Sequence, residues 1–272
     1  MVKINSVSSI LNKLIYSINQ KESFGLIRFG DGGLKLIDAY LNSDFEQLEK
    51  ISEKEGIPSE LFSKIIESWK VSANICDYID CPEVYFSGRF WKRTRRKGRE
   101  ISLETRKKLK NWEELYNNVG ITNSNYCNPE VNFLMCLTSQ KPSLLDIIKD
   151  KKVCCISNYS SLINVITNCD LEILQIPGFH ENQYTHFSSV LDFINKHAND
   201  YDLWLVSAGE LGRIFPGFIK FKGGRALDIG SLVDYWCTEK VPVRLRPYMY
   251  SARGNKLKLT LNKEGKKYKD FL

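Results

Sequence analysis

The sequence is most informative first in what it has little of. It carries three His among 272 residues. Eight Cys are present, yet none pairs as Cys-x-x-Cys, and the spacings of zinc modules are missing. No apolar run reaches the roughly 18 residues that a membrane-spanning helix needs. No apolar stretch followed by small residues opens the chain, so a secretory leader is not expected. Internal repeats, low-complexity tracts and Pro/Gly-rich linkers are missing as well. Neither a Gly-x-Gly-x-x-Gly fingerprint nor a P-loop occurs. These gaps exclude a spanning membrane protein, a collagen-like fibre and a disordered chain. They also point to a reducing, cytoplasmic setting in which the cysteines are buried free thiols.

What is present fits a globular protein: 43% hydrophobic and 26% charged residues, enough chain for a sizeable core. The net charge of +7 is uneven. Residues 92–110 hold ten Lys/Arg against two Glu, and residues 244–272 hold nine Lys/Arg against two acids, so the remainder is net acidic. Such patches suit a phosphate-bearing partner: nucleic acid, an anionic membrane at its inner face, or a sugar-nucleotide. They equally suit a solvated loop leading into a charged helix at 103–116. Few aromatics flank the first patch and no nucleic-acid motif appears, which makes nucleic acid the weaker partner. The alternation Lys256-Leu257-Lys258-Leu259 predicts an edge strand.

Helical and strand patterns alternate. Val7, Ile10, Leu11, Leu14 and Ile18 recur at helical spacing behind Ser6 as N-cap. Apolar runs at 24–29, 84–86, 153–156, 171–176, 203–206 and 225–229 read as buried strands. Most end in a Ser, Asn or Gly cluster and then a helical pattern. Helices are expected near 34–42, 44–54 and after Pro58. This order predicts an α/β fold: a Rossmann-like, mostly parallel sheet with helices on both faces. We expect one domain over 1–243, with a helical insertion near 44–80 and a basic arm near 91–118, followed by a basic extension at 244–272.

In such sheets ligands bind beyond the carboxyl ends of the strands. Three strand ends carry chemistry. In Arg28-Phe29-Gly30-Asp31-Gly32-Gly33 the glycines admit a close ligand, Asp31 can hold a divalent ion or a ribose hydroxyl, and Arg28 can pair with phosphate. A plain tight turn with Asp31 capping a helix near Leu34 fits the same residues. In Ser207-Ala208-Gly209-Glu210-Leu211-Gly212-Arg213 free amides at a helix start suit phosphate, while Glu210 suits either the helix dipole or catalysis. In the third, Asp228 sits inside an apolar strand and needs a partner, a backbone amide or a ligand.

These residues resemble a known family. Ile27-Arg28-Phe29-Gly30-Asp31-Gly32 is similar to the start of the Arg-Phe-Gly-Asp-Gly-Glu motif of the GT-D-fold glycosyltransferases. Leu205 to Gly209 and then Ala226-Leu227-Asp228-Ile229-Gly230 resemble that family's closing strand–helix–strand and its Ala-x-Asp-Ile-Gly-His run. Order and spacing match over roughly 24–236, only loosely across 85–150. The resemblance implies a GT-D-type fold and a hexosyl- or pentosyltransferase. It would move a sugar from a nucleotide-diphosphate sugar to a glycan, glycoprotein or lipid-linked acceptor. From the resemblance Asp31 carries over directly. The chemistry of the three strand ends adds Glu210 beside it as a catalytic candidate, and places Arg28, Gly30, Asp31, Gly32, Ser207, Gly209, Arg213 and Asp228 around the nucleotide-sugar. Asp31 takes the metal-ligand position for Mn2+ or Mg2+. Its Glu partner is Gly33 here, and the family His is Ser231. Glu210 or Asp38 would then supply the carboxylate, or Arg28, Lys92, Arg93 and Arg213 would neutralise the diphosphate without metal. The alternative is a catalytically inactive Rossmann-like module that holds nucleic acid or another polyanion.

Overall fold

The computed structural model describes residues 4–81, 111–128, 131–136, 140–159, 169–177 and 183–233, except the side chains of 31, 133 and 183. The 84–86 run, most of the basic arm and the Lys256–Leu259 alternation lie outside them, as does the 244–272 extension.

The chain opens with β1 (Ile4–Asn5) and α1 (Val7–Gln20). Ser6 caps α1 as its sequence implies, accepting from the Ser9 amide at 3.1 Å. Then follow β2 (Phe24–Ile27), α2 (Gly30–Leu41), α3 (Phe45–Glu55), α4 (Phe62–Ile75) and β3 (Tyr78–Asp80). The middle supplies α5 (Trp112–Asn118), β4 (Tyr126–Cys127), α6 (Val131–Leu134) and α7 (Leu144–Ile148). The last part is β5 (Lys152–Ser157), β6 (Asp170–Gln175), α8 (Phe187–His197), β7 (Leu203–Ser207), α9 (Phe215–Phe221) and β8 (Arg225–Asp228).

Among the described residues the strands form a single sheet of order β1-β4-β3-β2-β8-β7-β5-β6, and each pairing is parallel. Strand alternation decides which residues meet which helices. Phe24, Leu26, Leu227, Leu205, Leu203, Cys155 and Val153 face α1, α6 and α7. Cys154, Ile156, Trp204, Val206 and Ala226 face α8 and α9 on the other side. Helices α2 to α5 pack around Ile27, Ile79 and Trp69 in a further cluster. The sheet is thus covered on both faces, which is why β5, β7 and β8 read as nearly continuous apolar runs.

One glycine governs helix packing. A Cβ on Gly217 would lie 2.4 Å from the Cα of Ser72, so only a residue without one lets α9 lie against α4. The Ser72 hydroxyl fixes that contact, donating to the Arg213 carbonyl at 2.8 Å and accepting from the Gly217 amide at 3.0 Å.

The seven described cysteines are free, six of them buried and Cys169 half-buried. Burial pushes the Cys136 and Cys154 thiols up to about 12. They are packing residues, since a thiol held protonated is a poor nucleophile.

Candidate functional site

Strand β2 runs on to β3 on one side, while its other neighbour β8 arrives from the opposite half of the sheet. The order reverses between them, and a crevice opens at that point beyond the carboxyl ends of the strands. A cavity of about 320 Å³ lies there. Arg28 to Gly30 and Gly32 line it after β2. Asn158 lines it after β5, Ser207 to Glu210, Gly212 and Arg213 after β7, and Asp228, Gly230 and Ser231 at the end of β8. Lys54 and Glu55, from the end of α3, complete the wall.

The three strand ends expected from the sequence therefore meet in one place. Arg28, Gly30, Gly32, Ser207, Gly209, Glu210, Arg213 and Asp228 all face this cavity. Asp31 lies in the first turn of α2, but its side chain is outside the described residues. Lys92 and Arg93 lie outside them too. Asp38 does not line the cavity and accepts from the Asn42 side-chain amide at 3.0 Å.

Helix α2 starts earlier than expected, at Gly30 rather than near Leu34, so Asp31 is not its cap. The cap comes from another strand. Asp80, fully buried at the end of β3, accepts from the amides of Phe29 at 2.8 Å and Gly30 at 2.9 Å, and from the Tyr116 hydroxyl at 3.3 Å. Pairing Ile27 with Ile79 across β2 and β3 brings Asp80 to the turn. Gly30 makes that turn in the left-handed region, with φ at +57°. Burial raises Asp80 above the usual carboxylate range, against the pull of the two amides, Arg28 and Arg213.

On the other side of the turn, Asp228 accepts from the Arg28 amide at 3.1 Å. A Cβ on Gly230 would stand 2.9 Å from Nη1 of Arg28 and 3.5 Å from Oδ1 of Asp228, so this glycine leaves room for both side chains. Ser207 donates to the Gly230 carbonyl at 2.9 Å and ties the ends of β7 and β8 together.

Arg213 acts as a clamp. Its Nε donates to the Arg28 carbonyl at 3.2 Å and its Nη2 to the Phe29 carbonyl at 2.8 Å. Its Nη1 pairs with Glu210, and its guanidinium lies over the Trp69 ring at 5.0 Å. Trp69 in turn donates to the Glu210 carbonyl at 2.9 Å. The Glu210 carboxylate is thus engaged with Arg213. Gly32 and Gly33 make room for this pair, since added Cβ atoms would lie 2.9 Å from Oε1 of Glu210 and 3.2 Å from Nε of Arg213 respectively.

Asp228 provides a pH prediction. Burial raises its carboxyl, although Arg28, Arg213 and the Arg28 amide pull the other way. An acid with a raised folded-state pKa holds its proton better folded than unfolded. Its contribution is complete below the unfolded pKa and is lost as pH rises through the folded one. Asp228→Asn is expected to gain stability relative to wild type across that window. Urea melts of both proteins from about pH 4 to pH 7 check this; a difference that stays flat or moves against the variant contradicts it.

No family model and no curated protein sequence matches the chain. Solved structures do. A glycosyltransferase from Streptococcus sanguinis, domain of unknown function 1792, is similar with a TM-score of 0.53 at 16% identity, over 88% of this chain and 86% of that one. A second structure is described as the highly conserved domain of unknown function 1792 with a distinct glycosyltransferase fold. It is similar with a TM-score of 0.56 at 18% identity, over 89% of this chain and 85% of that one. The described sheet and its helices thus share that Rossmann-like glycosyltransferase fold. The nucleic-acid alternative draws no support from these neighbours. Among the described residues no helix is long and apolar enough to cross a membrane.

Proposed function

We propose that this glycosyltransferase-fold chain moves a sugar from a nucleotide-diphosphate sugar to a glycan, glycoprotein or lipid-linked acceptor. One observation carries the reading. Arg28 and the backbone of three strand ends, with left-handed glycines at 30, 209 and 230, converge on one cavity at the reversal of strand order. The departing group in such a reaction is a nucleoside diphosphate. Its growing charge needs fixed donors at the place where it forms. Arg28 supplies the cation, and the amides at 209–211, ahead of those of Gly212 and Arg213 that bond within the turn, supply neutral donors. Asp31 is assigned to the ribose or the sugar. The buried free thiols support a cytoplasmic setting. The basic segments at 92–110 and 244–272 suit peripheral contact with an anionic inner membrane face.

A divalent ion fits poorly with the described side chains. Among them, no three His, Cys, Asp or Glu side chains gather as a ligand set. Asp80 and Asp228 accept from backbone amides, Glu210 is paired with Arg213 and Glu55 with Lys54, and position 33 offers no carboxylate. The proposal therefore gives the diphosphate to Arg28 and the backbone rather than to a protein-held metal.

The test is a thermal-shift screen with UDP, GDP, TDP, CMP and their sugars, each with Mn2+, with Mg2+ and with EDTA. A ligand that binds only the folded state at a hundred times its Kd adds about 2.7 kcal/mol. One nucleotide is expected to raise the melting temperature, equally in EDTA, and Arg28→Ala is expected to abolish the shift. No shift with any of them removes the reading. A shift only with metal removes the metal-free part alone.

A further inference from the structure

Unlike elements line the cavity. The strand ends bring Arg28 and the start of α2. The carboxyl end of α3, closed by the left-handed Gly56, lines it as well. Glu55 is the last residue of α3, 5% exposed, and it lines the cavity. Its carboxylate pairs with Lys54, whose own side chain is 72% exposed.

For stability alone this placement is poor. A carboxylate at a helix C-terminus opposes the helix dipole, and taking it out of water adds a further cost. The charged groups around it are Lys54 on its own helix, Arg213 and Glu210 from the turn after β7, Arg28 after β2 and Asp228 at the end of β8. Glu210 belongs to Arg213 and Asp228 to the Arg28 amide. Glu55 pairs with Lys54, whose chain reaches into solvent, and Arg213 also feels its charge. A carboxylate at the end of a helix favours groups that donate hydrogen bonds, such as hydroxyls, over a diphosphate.

We propose that Glu55 is the base that takes the proton from the acceptor hydroxyl, an assignment that rests on the sugar-transfer reading above. The acceptor oxygen forms its bond to the anomeric carbon. The bond from that carbon to the diphosphate oxygen breaks, and its electron pair leaves with the diphosphate. The hydroxyl proton passes to a Glu55 oxygen and then to water once the product departs. Such a base contributes typically about 10²–10⁴-fold.

The test uses the full chain and the slow release of nucleoside diphosphate from UDP-, GDP- or TDP-sugars, with water standing in for the acceptor. Glu55→Gln is expected to lower kcat at least about 10²-fold, to leave KM for the sugar-nucleotide and its thermal shift unchanged, and to flatten the acid limb of the kcat–pH profile. Its melting temperature is expected to equal or exceed that of wild type, because the removed charge opposed the helix dipole. Glu55→Asp, which withdraws the carboxylate by one methylene, is expected to keep part of the rate and the acid limb. A wild-type kcat in Glu55→Gln, or a loss confined to KM for the donor, overturns the assignment while the function stands. Wild-type protein that binds no sugar-nucleotide overturns both.

Discussion

Replacing Asp80 with Ala is expected to cost on the order of 2–6 kcal/mol and to abolish ligand binding with it. Two amides, those of Phe29 and Gly30, lose their acceptor at a buried position. Each buried donor left unpaired costs about 1–3 kcal/mol. The same amides begin α2, so the loss falls on the turn that carries Arg28 into the cavity. Asp80→Asn keeps one acceptor oxygen and is expected to recover part of the stability. Urea melts of the three proteins measure this. An Asp80→Ala protein within about 1 kcal/mol of wild type would contradict the cap, since even one unpaired amide costs that much.

Arg213→Met is expected to be comparably damaging, at about 3–5 kcal/mol, the usual cost of breaking a buried ion pair from one side. The change strands the Glu210 carboxylate, whose side chain is 10% exposed, and frees the carbonyls of Arg28 and Phe29. The double variant Glu210→Gln, Arg213→Met removes the stranded charge. It is expected to be more stable than Arg213→Met alone, so the two substitutions couple favourably in a double-mutant cycle. The bonds from Arg213 to the Arg28 and Phe29 carbonyls are lost in both, so recovery is partial. Strict additivity would mean that the pair does not hold the site.

Much of this arrangement is legible in the sequence, for reasons that differ by residue. Strands β2, β5, β7 and β8 announce themselves because burial on both faces makes them apolar runs between Gly and Ser clusters. The 171–176 run is a strand too, but β6 is an edge strand, half-exposed rather than buried as expected. Strands β1, β3 and β4 are two or three residues long, too short for any period to show. Asp80 hides for that reason. Tyr78-Ile79-Asp80-Cys81 looks like the end of a helix, and only the pairing with β2 makes its carboxylate a cap. An acid between apolar residues that needs a partner was the available signal, the one that drew attention to Asp228. Glu55 hides differently. Glu53-Lys54-Glu55 has the look of a solvated face, and the return of α3 over the strand ends is what buries it. Glu210 was visible, but its commitment to Arg213 follows from a turn geometry that spacing does not encode.

Strand β8 pairs with β2 on one edge and β7 on the other, and among the described residues it is the last strand of the sheet in sequence. It therefore joins two half-sheets that have no strand pairing with each other before it arrives. A growing chain must carry the edge of β2 unpaired until some two hundred further residues have been made. Long-range parallel pairing of this kind is slow and leaves sticky edges exposed. Arg28 and Asp228 thus come together only once β8 pairs with β2, so the cavity requires the long-range pairing. A chain stopped before Gly224 would possess most of its helices and no site at all.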